Sequence, residues 1–174
     1  MTTSEPRTTA EAVEELRTVA HRWADGRRGS TAQLIRAADR ALWAGVDAPS
    51  LAPLAELLTV ERDLAAELFG RVTDELGFGL PPADGGPGGL LLARWWAAEI
   101  AAGRLDPAEG AALIIDDIVE VHGAHEELTP MLDAVRALWS PRPPGPSTAE
   151  THARLTRAAR ELLTRIPDPR GAAE

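Results

Sequence analysis

The stretch DPAEGAALIIDDIVEVHG, residues 106–123, carries the strongest helix signal in the chain and sets the reading of everything around it. Asp106 is a preferred N-cap, Pro107 stands at the first helical position where its missing N–H costs nothing, and Glu109 is acidic within the first turn. Gly123 stands where the helix must stop. Between them no period-2 alternation occurs, so the spacing predicts one helix over roughly 106–122.

The same punctuation recurs outward from this element. Thr8 with Glu11, Ser30 with Gln33 and Ser147 with Glu150 have the spacing of capping boxes. Apolar residues follow at helical intervals: Val13, Leu16, Ala20 and Trp23 or Ala24 in the first run, then Leu34, Ala38, Ala41 and Leu42 in the second. Ser50 is expected to open a short helix, SLAPLAELL. Thr59 is expected to open a longer one through Leu76, with Val60, Leu64, Leu68, Val72 and Leu76 on one side. Gly45, Gly77 and Gly103 lie where C-terminal caps belong. Further helices are expected over 88–102, 129–139 and 147–166. The expected fold is all-α, about seven helices and no β-sheet.

Gly and Pro crowd 77–89, which cannot be helix or central strand. This loop either divides the chain into halves or covers a groove. The segment 140–146 is a stiff Pro-rich linker. On length, one helical domain over 8–166 is expected, with disordered ends at 1–7 and 167–174.

Composition excludes several chemistries. The 174 residues carry a net charge of −9, which opposes nucleic acid or an anionic membrane as the main partner; Arg27-Arg28 is the sole cationic cluster. With no Cys, disulfides, thiolate catalysis and Cys-ligated metal centres are excluded. Lys is absent too, so Schiff-base chemistry and a phosphate-loop lysine are excluded. Absence of Lys, Tyr and Asn together fits a GC-rich coding bias. The polar, acidic start lacks the pattern of a signal peptide, and the longest apolar run, near 89–102, is broken by Arg94 and Glu99. A cytoplasmic protein is expected.

The pattern IIDDIVEVHGAH, residues 114–125, gathers Asp116, Asp117, Glu120, His122 and His125. With Ala111 at zero and ~100° per residue, Asp116, Glu120 and Asp117 fall near ~140°, ~180° and ~240°. Ile114, Ile115, Ile118, Val119, Val121 and His122 fall around zero. The carboxylates are thus expected to look outward and His122 inward, so one helix cannot bring them to a common metal. Three acids within one helical turn repel by ~0.2–0.5 kcal/mol per pair. A solvated face explains them, as does a docking surface for a cationic partner.

DDIVE resembles the aspartate-rich magnesium motif of terpene synthases in Asp116, Asp117 and Glu120. The chain is too short for that fold and lacks its second metal motif, so the resemblance implies nothing further. No Glu-x-x-His, His-Glu-x-x-His or Gly-x-Ser-x-Gly pattern occurs.

EIAAGRLDPAEGAALI, residues 99–114, is similar to a segment of small all-helical actinobacterial proteins, of the form EI-x-x-G-R-x-D-P-x-E-G-A-x-x-I. The shared residues are Glu99, Ile100, Gly103, Arg104, Asp106, Pro107, Glu109, Gly110, Ala111 and Ile114. The resemblance implies a helical fold and a source, not an activity; downstream, IIDDIVEVH departs from the aromatic-rich segment of that pattern. In physical terms Gly110 admits a neighbouring helix closely, and Arg104 is placed to pair with Glu99 or Glu109.

The first functional expectation is a non-catalytic acidic interaction module, immunity- or antitoxin-like or an accessory protein. It would meet a basic protein surface through Asp116, Asp117 and Glu120 with Glu126 and Glu127, without cofactor or metal. The second is a small-ligand protein or enzyme, its pocket between helices near Trp95, Trp96, His122 and His125, metal-assisted through the three acids. The third is a homodimer through the apolar helix 88–102. The five Trp are expected mainly as core, with Trp95 and Trp96 both buried only if their helix is central.

Overall fold

The structure, a computed structural model, describes residues 8–24, 30–81, 86–139 and 147–168. The N-terminal stretch 1–7, the Arg27-Arg28 pair and the linker 140–146 lie outside the described residues. Among the described residues the chain is all-helical, with no strand. Residue contacts cluster into two compact units, Met1–Leu80 and Pro81–Glu174, divided within the 77–89 loop.

The first unit holds α1 (Thr9–Ala24), α2 (Thr31–Trp43), α3 (Leu51–Ala55) and α4 (Arg62–Glu75). Both expected capping boxes form. Thr8 and Glu11 exchange bonds, the Thr8 amide donating to the Glu11 carboxylate at 2.8 Å and the Glu11 amide to the Thr8 hydroxyl at 3.2 Å. Ser30 and Gln33 do the same at the start of α2. Gly45 (φ 73°) and Gly77 (φ 67°) end α2 and α4 in the left-handed region. In each case the next amide reaches back five residues, Val46 to Ala41 and Phe78 to Thr73, closing Schellman caps.

Leu16, Ala20, Leu34, Ala38, Leu51, Leu54, Phe69 and Val72 fill this unit's interior. Trp23 meets Phe69 edge-on, ring centroids 5.3 Å apart, and the Arg17 guanidinium lies 4.3 Å from the centre of the Phe78 ring. Specific polar ties join these helices. Arg40 on α2 pairs with Glu15 on α1, the Thr9 hydroxyl donates to the Ala44 carbonyl at 2.7 Å, and the Ser50 hydroxyl and amide donate to Glu75 at 2.6 and 3.0 Å.

Three local expectations are corrected here. Ser50 makes no side-chain cap, because its hydroxyl is taken by Glu75 on α4. The long helix starts at Arg62 rather than Thr59: the Glu61 carboxylate accepts from the Leu58 amide at 2.8 Å, which folds 58–61 into a turn and leaves Val60 exposed. Trp43, expected in the core, is 86% exposed at the last position of α2.

The second unit holds α5 (Leu90–Ala101), α6 over 107–122, α7 (Thr129–Trp139) and α8 (Thr148–Arg165). Short 3-10 turns, Pro87–Gly89 and Glu126–Leu128, lead into α5 and α7. Within this unit α5 packs against α6 and α8, and α8 also packs along α7. Trp95 and Trp96 are both buried, Trp96 completely, as the central position of α5 requires. Ile100, Ile114, Ile118, Leu128, Met131, Leu155 and Leu162 are also fully buried in this unit. The Trp139 side chain lies outside the described residues.

The start of α8 is the expected capping box of Ser147 and Glu150. Its far end is held from α5: the Arg94 guanidinium donates to the carbonyls of Leu163 at 3.0 Å and Ile166 at 2.7 Å, and lies 3.5 Å from Asp168. A cation on those terminal carbonyls complements the helix dipole.

Candidate functional site

The residues that the sequence singles out lie on α6 and on the segment following it. Asp106 caps α6, one carboxylate oxygen accepting from the amides of Ala108 at 2.9 Å and Glu109 at 3.1 Å. Its second oxygen lies 3.6 Å from His152 of α8. One turn on, Gly110 faces α5 with no side chain: a β-carbon there would come 2.5 Å from Ile100 Cδ1 and 3.0 Å from Leu105 Cδ2.

From Ile114 to Val119 the helix widens into a π-helical turn, and Glu120–His122 closes it as regular α-helix. In an i→i+5 turn each residue advances by less than the α-helical angle, so later side chains lag behind the face a regular helix would give them. Gly123 (φ 86°) then ends the helix.

The outward trio of carboxylates is therefore corrected. Asp116 and Glu120 are exposed, but Asp117 is only 8% exposed and sits with Ile114 and Ile118 on the packed face. The packed stripe runs through Gly110, Ile114 and Ile118 rather than being centred on Ala111. Asp117, three residues after Ile114, is carried to its edge. A glycine adds nothing to an apolar stripe read from side chains, and the centre of the face was displaced for that reason.

His122 is corrected in the opposite sense. It is exposed, as is Val121. Its ring lies over the start of α5, because a β-carbon on Gly89 would come 3.0 Å from His122 Cδ2 and 2.7 Å from Ile118 Cδ1. Gly89 has φ 71°, so its backbone conformation and the close approach both call for glycine. His125 is half-buried, and its Nε2 is enclosed with no hydrogen-bond partner among the described residues. Glu126 is exposed and Glu127 half-buried.

The acid/base set is thus not assembled. Among the described residues no three His, Asp or Glu side chains stand together as a metal would need. Trp95 and Trp96 are interior packing of the second unit. Asp116, Glu120, Glu126 and Glu127 make no ion pair among the described residues. Elsewhere carboxylates are matched by Arg: Glu67 with Arg71, Glu161 with Arg165, and Glu99 with Arg104.

The chain matches no protein-family model, no curated protein and no solved structure.

A feature with no motif in the sequence lies in the first unit. There an open cleft of about 850 Å³ is bounded by the starts of α2 and α4, with Trp23 of α1 on its wall. The sequence signal for it was the pair of helix starts, which give a position along the chain but not their convergence.

Proposed function

We propose that this protein is a non-catalytic helical module that docks a partner protein with a basic surface, in the manner of an immunity or accessory protein. The observation that carries this reading is the run of exposed or half-exposed carboxylates Asp116, Glu120, Glu126 and Glu127, none matched by Arg among the described residues. Within a chain of net charge −9 they form a field that steers a cationic surface and speeds encounter at low salt. Asp117 leaves the docking set, because it is buried.

Two further observations agree with it. No described helix is long and apolar enough to cross a membrane. Among the described residues no three His, Asp or Glu side chains are grouped so as to hold a metal ion.

The test compares wild type with an Asp116→Ala/Glu120→Ala/Glu126→Ala variant of equal helicity, each used as bait for the source organism's proteins at low and high salt. The expected result is a partner retained by wild type at low salt, weakened by salt and by the triple substitution. Identical recovery by the two baits at every salt concentration removes the assignment.

A further inference from the structure

We draw no further inference here: the strongest candidate, the stripe of exposed arginines Arg154, Arg157 and Arg160 along α8, shares its helix face with Glu150 and Glu161, and nothing in the structure shows what covers it.

Discussion

Ile100 on α5 occupies the space that a side chain at Gly110 on α6 would fill, its Cδ1 2.5 Å and its Cγ1 2.6 Å from where that β-carbon would stand. Two helices are held at this distance by the lack of one methyl group. Gly110→Ala would gain up to ~1 kcal/mol of helix propensity. It would also overpack a site closed by Ile100 and Leu105, both buried, at a cost of ~1–3 kcal/mol. The clash is the larger effect. Gly110→Ala is expected to lower stability in chemical denaturation, and Ile100→Val in the same chain to return part of the loss. Additive losses in the double variant would show that these residues do not share the space.

The local devices at this corner were legible in the sequence, because each is specified by residues one turn apart. Asp106-Pro107, Gly103 and the three capping boxes need no knowledge of distant packing. The π turn was not legible: no residue type marks an i→i+5 ring, and IIDDIV reads equally well as regular helix. Its consequence, Val121 outside, was lost with it, whereas Asp117 was misplaced because Gly110 hid the centre of the packed stripe. Trp43 was misplaced for a different reason. It ends an amphipathic helix, and which face the last residue presents depends on neighbours beyond that helix.

Glu99 and Arg104 give the second prediction. Glu99 is 2% exposed, and both its oxygens accept from Arg104, at 2.6 to 3.2 Å, while its carbonyl receives the Arg104 and Leu105 amides that close α5. Removing the guanidinium takes these bonds from a buried carboxylate, a change that costs ~3–5 kcal/mol where both partners are buried. Arg104 is partly exposed, so water reaches its side of the pair and the low end of that range applies. Arg104→Ala should cost about 3 kcal/mol in urea unfolding. Arg104→Lys should recover only part of this, since an ammonium cannot make the two-pronged contact. A neutral outcome for Arg104→Ala would mean that the carboxylate finds other partners.

The two exposure extremes among the tryptophans give a third. Trp96 is completely buried and Trp43 is 86% exposed. Trp96→Ala is expected to cost ~3–5 kcal/mol, enough to unfold a marginally stable domain. Trp43→Ala should change stability by no more than about 0.5 kcal/mol. The indole emission of Trp43 should also be quenched by added iodide in the folded protein. A large loss of stability from Trp43→Ala would contradict its placement.

Glu150 supplies a prediction about pH. The Ser147 backbone amide, then the Ser147 hydroxyl, bond its carboxylate and hold its pKa below the ordinary glutamate value, with Arg154 adding to the effect. A depressed folded-state pKa stabilises α8 above the unfolded-state value, and that contribution disappears as the pH falls through the folded value. Ser147→Ala keeps the backbone amide but removes the hydroxyl, and with it the reciprocal bond to the Glu150 amide. The Glu150 titration, followed by carboxyl carbon NMR, should therefore move only part of the way back towards the ordinary value. Ser147→Pro also removes the amide donor and should move it further, because that bond is the larger cause. If both variants left the titration unchanged, the cap would not be the source of the shift.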